Sequence, residues 1–274
     1  MSDPIVHTSQ VRSPDGEPTR ALLFLHGILG TGPNLRGLAQ AFVRADPSLA
    51  IQLVDLRLHG KSRAFAPPHD VRACARDLVA LESTLALPVI GVLGHSFGGK
   101  VALAYHAERP DLTRVITLDS DPGSRPDRVG SEQTTAVLEM LDRAPRLYAR
   151  RDDFIELVHA EGHSRAVADW LAMNLERRAD GFHLQIDLPG INALLDSYFA
   201  SDLWSVLEQS HAQVEIVVGG RSQVWDRAHL ARVAALAANK PSLRVHVLPE
   251  AGHWVHVDDP SGLRAALIDQ TETP

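Results

Sequence analysis

The chain has 274 residues, enough to bury one large α/β core or a core with a small insertion. Hydrophobic residues make up 45% and charged residues 22%, an ordinary globular balance that excludes disorder as a global description. A formal net charge of −7, with no basic run and no interleaving of aromatic with basic residues, argues against nucleic acid as a partner. The lone cysteine, Cys74, builds no disulfide framework. The first residues lack a charged region followed by an apolar one, and no stretch approaches the length of a membrane span. The expectation is a cytoplasmic protein without a membrane span.

Residues 5–12 read as a first edge strand, closed by the turn-rich run 13–18. The apolar run 21–25 ends in a glycine-bearing loop, His26-Gly27-Ile28-Leu29-Gly30-Thr31-Gly32, before a helix over 35–44. A strand over 51–56 runs into Arg57-Leu58-His59-Gly60-Lys61-Ser62. The next helix covers about 71–85, with Asp70 as its N-cap and Val71, Ala75, Leu78 and Val79 on one face beside Cys74. Residues 88–93 are short, apolar and β-branched, the pattern of a buried strand. Residues 100–108, rich in Ala and Leu, form a helix that Pro110 stops. A strand over 112–118 ends at Asp119.

From 121 to about 207 the alternation of short strands stops, and helical segments take over at 134–143, 152–159, 166–176 and 191–199. The expectation is a helical cap, 121–207, inserted into an α/β core built from 1–120 and 208–274. Strand character resumes at 214–218 and ends in Gly219-Gly220-Arg221-Ser222. A helix over 228–238, a strand over 243–248 and a closing helix over 260–269 complete the chain. Such alternation predicts a mostly parallel sheet covered by helices on both faces, with ligands bound outside the carboxyl ends of the strands.

Chemistry concentrates at those strand ends. Gly94-His95-Ser96-Phe97-Gly98-Gly99 lies between a strand and a helix, where the chain doubles back and small residues must flank the serine. This is the pattern of a nucleophile elbow. An alkyl hydroxyl needs a base to take its proton, and histidine suits. Among 14 histidines, His253 is singled out by its loop after the last strand, with His256 the weaker alternative. His95 adjoins the serine but packs or bonds locally, and His26 has a structural role. The acid that orients the base is expected at another strand end. A right-handed crossover sets the strand ending at Asp119 beside the elbow strand. Asp119 is therefore preferred; Asp121 and Asp226 stay open, and Asp55 reads as a brace for its own loop. The amide of Phe97 and one from the 26–29 loop, that of Ile28, are the expected oxyanion donors. Histidines 159 and 163 are spaced i,i+4, but an intervening glycine and reversed order set zinc aside. The glycines at 27, 30 and 32 have the wrong spacing for a dinucleotide loop.

Together, these stretches and Gly252-His253-Trp254 resemble the α/β-hydrolase superfamily over roughly residues 20–120 and 212–268. Within it the likeness is to small bacterial esterases of the YbfF type and their mitochondrial relatives. They share the ending Gly-His-Trp-Val-His, here residues 252–256, and have Gly-Gly-x-Ser where the wider superfamily has Gly-x-x-Asp. That departure removes the usual acid and also favours Asp119. The resemblance implies a serine hydrolase of carboxylic esters, working through Ser96, His253 and Asp119 on a small-molecule substrate with no metal or organic cofactor. Leu29, His95, Phe154, Leu157, Trp170, Tyr198 and Trp254 are the candidate pocket residues. Thioester or carbon–carbon cleavage on the same triad remains open, as does a non-catalytic ligand receptor on a hydrolase fold.

Overall fold

A computed structural model describes residues 5–129 and 131–269. In chain order, β1 (Thr8–Arg12) and β2 (Arg20–Leu25) precede α1 (Arg36–Ala45), β3 (Leu49–Val54) and α2 (Val71–Glu82). Then come β4 (Val89–His95), α3 (Phe97–Glu108) and β5 (Arg114–Leu118). The next stretch holds α4 (Glu132–Arg143), β6 (Leu147–Tyr148), α5 (Arg151–Ala160) and α6 (Arg165–Leu171). It continues through β7 (Leu175–Arg178), β8 (Gly181–Leu184), α7 (Leu188–Ala200) and α8 (Trp204–Gln209). The chain closes with β9 (Gln213–Gly219), α9 (Arg227–Asn239), β10 (Leu243–Leu248), α10 (Val255–Asp258) and α11 (Pro260–Leu267).

Seven strands pair in the order β1-β3-β2-β4-β5-β9-β10, all parallel except β1. The pleat sends alternate residues to opposite faces. Leu23 and Leu25 of β2 join one hydrophobic cluster with residues of α2 and α3, while Leu22 and Phe24 join another with residues of α1 and α11. Both faces being covered, β3 is buried at every position. Asp70 caps α2 by accepting the Ala73 N–H at 2.6 Å, and Cys74 is fully buried. Val79, expected on the apolar face, is instead 39% exposed, having turned to the outer side of α2.

The β4–α3–β5 crossover sets β5 beside β4, with His95 opposite Leu118. Ser96 and Asp119 therefore leave adjacent strands at the same end of the sheet. Between β5 and β9 the stretch is not purely helical: β6, β8 and β7 form a small antiparallel sheet. The helix expected over 166–176 ends at Leu171, and a 3₁₀ turn over Ala172–Asn174 leads into β7. A hairpin with Arg178 opposite Gly181 explains the change: Ala179-Asp180 form its two-residue loop, and Gly181 just after it takes φ +140°, which glycine permits. Among the described residues no helix is long and apolar enough to cross a membrane.

Candidate active site

Ser96 stands between β4 and α3 with φ 53° and ψ −118°, a left-handed conformation that a non-glycine residue holds only under constraint. The constraint is visible in its neighbours. A Cβ on Gly94 would collide with the carbonyl of Gly98, and one on Gly98 with the carbonyls of Leu25 and His26. Only glycine permits that approach.

The Ser96 hydroxyl lies 2.9 Å from His253 Nε2. On the far side of the ring, His253 Nδ1 lies 2.6 Å from Asp119 Oδ2. Asp119 is fully buried and leaves β5 at φ 45°. Its carboxylate is held from β9 as well: the Gly219 N–H donates to Oδ1 at 3.1 Å, and the Ser222 hydroxyl donates to Oδ2 at 2.5 Å. The loop bearing His253 is fixed in turn by His95, whose Nε2–H donates to the His253 carbonyl at 2.9 Å. The three preferred residues are thus brought together.

The alternatives are occupied elsewhere. Asp226 caps α9 by accepting the His229 N–H at 2.7 Å. Asp121 accepts from the Gly123 N–H at 2.8 Å and from His229 Nδ1 at 2.7 Å. Asp55 takes the Gly32 and Lys61 N–H groups at 2.8 and 3.0 Å, bracing its loop. His256 packs edge-on against His95 with ring centres 4.8 Å apart. His159 Nδ1 donates to the His163 carbonyl at 3.0 Å, closing its own turn.

Two buried imidazoles shape the loop after β2. His26 donates through Nδ1 to the Gly27 carbonyl at 2.7 Å and accepts the Leu56 N–H through Nε2 at 3.0 Å. His59 donates through Nδ1 to the Arg57 carbonyl at 2.8 Å and accepts the Leu29 N–H through Nε2 at 3.0 Å. Accepting a hydrogen bond requires a neutral ring. Burial enforces this, lowering His26 to about 4 and His59 to about 3. The Leu29 amide is therefore taken, whereas the amides of Ile28 and Phe97 have no acceptor among the described residues.

Two cavities meet at Ser96 and His253. One of about 150 Å³ is apolar, lined among others by Ile28, Leu29, Val137, Val167, Trp170 and Trp254. The other, about 380 Å³, is more polar, with Arg125, Ser131, Tyr198, Arg221 and Ser222 among its walls. Of the candidate pocket residues, Leu29, His95, Trp170 and Trp254 line the first and Tyr198 the second. Phe154 and Leu157 line neither. Phe154 is fully buried edge-on against Tyr148 at 5.2 Å, and Leu157 packs on the hydrophobic cluster, because α5 turns its apolar side toward β6 and α6.

Sequence reasoning missed Gln133 and Thr134, which line both cavities from the start of α4. Nothing in their local pattern marks them. It also missed the hydroxyl of Ser222, although Gly219-Gly220-Arg221-Ser222 was conspicuous as a loop lacking the usual acid.

A parallel sheet, a strained serine between β4 and α3, and a histidine and buried carboxylate in line with it define a class of hydrolase. The chain belongs to the alpha/beta hydrolase family, whose sequence profile matches residues 22–266. It is 28% identical over 260 residues to the sn-1-specific diacylglycerol lipase ABHD11 of Mus musculus, covering 92% of this chain and 81% of that one. It is 26% identical over 247 residues to the esterase YbfF of Escherichia coli, covering 90% and 91%. Among solved structures, a marine microorganism esterase superimposes with a TM-score of 0.80 at 22% identity, over 98% of both chains, a likeness of fold.

Proposed function

We propose that this protein is a serine hydrolase that cleaves carboxylic esters of small molecules through an acyl-enzyme on Ser96. The observation that carries the reading is the hydrogen-bonded line from Ser96 Oγ to His253 Nε2 at 2.9 Å and from His253 Nδ1 to Asp119 Oδ2 at 2.6 Å. His253 takes the hydroxyl proton as Ser96 attacks the ester carbonyl. Asp119 keeps Nδ1 protonated, so that Nε2 is the free base, and stabilises the imidazolium that forms. The unpaired amides of Phe97 and Ile28 receive the developing oxyanion. The His253 proton then leaves with the alcohol, and the same ring activates the water that releases the acid. These steps draw on side chains and amides alone.

The segment 121–207 acts as the cap over both cavities and the remainder as the core. Relatives that include an esterase and a lipase support ester cleavage. The apolar cavity of about 150 Å³ would take a short acyl or alkyl arm, and the more polar one of about 380 Å³ the other part of the ester.

The test pairs the parent protein with Ser96→Ala, using a fluorophosphonate probe and p-nitrophenyl esters of two to twelve carbons. The parent labels and turns over the shorter esters best; the variant does not label and loses on the order of 10⁶ in kcat. A folded parent that neither labels nor turns over an ester removes the hydrolase reading.

A further inference from the structure

The loop that carries the Ile28 amide is held from two directions. From the core, His59 Nε2 accepts the Leu29 N–H at 3.0 Å. From the insertion, the side-chain amide of Asn174 donates to the Leu29 carbonyl at 2.9 Å, across 145 residues of sequence. Asn174 ends the 3₁₀ turn before β7, is 4% exposed, and also donates to the Leu171 carbonyl at 3.2 Å. Leu29 itself is buried with φ 61°, a conformation that persists only where its surroundings over-determine it. Both polar groups of Leu29 are therefore pinned, one by each side of the active-site cleft. The same stretch of the insertion also touches the base's loop, for Trp170 packs edge-on against Trp254 with ring centres 5.2 Å apart.

We infer that Asn174 is a positioning residue through which the insertion sets the oxyanion loop. With the insertion seated, the Leu29 residue is fixed at its N–H and its C=O, and the adjacent Ile28 amide is held in place to act with that of Phe97. Without the Asn174 donor, the Leu29 carbonyl becomes a buried acceptor lacking that partner, and the strained φ keeps one restraint of two. The insertion thus contributes to the transition state as well as to substrate binding. Its signature is a fall in kcat with KM nearly unchanged, the mark of an interaction realised only as the oxyanion forms. This inference rests on the ester-hydrolase reading, since the loop has an oxyanion to bind only if Ser96 attacks.

The test compares the parent with Asn174→Ala and Asn174→Ser; the serine retains a polar group for the Leu171 carbonyl but is too short to reach Leu29. A third variant, Glu176→Gln, weakens a different contact between insertion and core, the exposed pair of Glu176 with Arg63 at 2.9 Å. Both Asn174 variants are expected to lose about 10- to 100-fold in kcat, the scale set by misplacing a catalytic group by about 1 Å. Their KM stays within about threefold and their fluorophosphonate labelling slows in parallel, while Glu176→Gln keeps parental values within about twofold. If a folded Asn174 variant raises KM and leaves kcat and labelling untouched, the inference is overturned and the insertion serves binding alone. If Glu176→Gln lowers kcat equally, loosening of the insertion explains the effect and the specific role of Asn174 fails. A parent that neither labels nor turns over esters overturns the hydrolase reading itself, and this inference with it.

Discussion

At the scale of single residues, Asp119 shows how a carboxylate on one strand is prepared by its neighbours. Oδ1 takes a backbone N–H from β9, and Oδ2 is shared between His253 and the Ser222 hydroxyl. Ser222→Ala leaves Oδ2 to the imidazole alone. The proposed mechanism then expects kcat/KM to fall about tenfold, the worth of one charge-assisted hydrogen bond that orients the base. Steady-state kinetics on p-nitrophenyl esters measure it, and parental kinetics in a folded variant count against the arrangement. Ser96 and His253 stood out in the sequence because each occupies a loop whose glycines and flanking elements are local signals. Asp119 needed one inference more, the handedness of a single crossover. Ser222 as a partner of Asp119 was not legible, because β5 and β9 are adjacent only after the whole segment 121–207 has been bridged.

At the scale of elements, α3 is buried from Phe97 to His106, including a lysine. Its Ala- and Leu-rich composition announced a helix, but nothing in the sequence marks Lys100 as buried. In the fold Lys100 Nζ donates to the carbonyls of Gly123, Tyr198 and Ser201 at 2.7, 2.7 and 3.0 Å, and lies 4.5 Å from the Tyr198 ring. Desolvation pulls its pKa down to about 8. The ammonium thus ties α3 to the loop after β5 and to the end of α7. Lys100→Met keeps the length of the stem but abandons three buried carbonyls, and a loss of about 3 kcal/mol is expected. Urea denaturation gives the value, and a change below about 1 kcal/mol contradicts the tie. The hairpin of β7 and β8 escaped sequence reading for a related reason. Four-residue strands bearing Glu176, Arg177 and Arg178 carry almost no apolar alternation, so Asp180-Gly181 was the one available signal.

At the scale of the whole molecule, the buried histidines make folding sensitive to acid. Burial lowers His26 to about 4, His59 to about 3 and His256 to about 4, and holds His95 well below its ordinary value. In the unfolded chain each binds a proton below about pH 6.5, whereas the folded chain refuses it, so stability falls as pH drops through this window. Each ring that stays neutral in the folded chain contributes a slope of about 1.4 kcal/mol per pH unit below the unfolded value, so several acting together are large against a domain's stability. Thermal melting from pH 7 to 4.5 is expected to show a steep decline beginning near pH 6, and a flat profile contradicts it. The mostly parallel character of the central sheet was legible, because strand and helix alternate with clear periodicity outside 121–207 and falter within it; of the strand order, only the adjacency of β4 and β5 was. One topological fact reaches further. Ser96, Asp119 and His253 all lie outside 121–207, so, with that segment read as the proposed cap, a foreign one could be spliced between β5 and β9 without removing any of them. Asn174 limits that freedom: on the inference above, a graft that changes substrate preference also needs a hydrogen-bond donor over the Leu29 carbonyl. Without it, the hybrid would bind its new ligand and turn it over slowly.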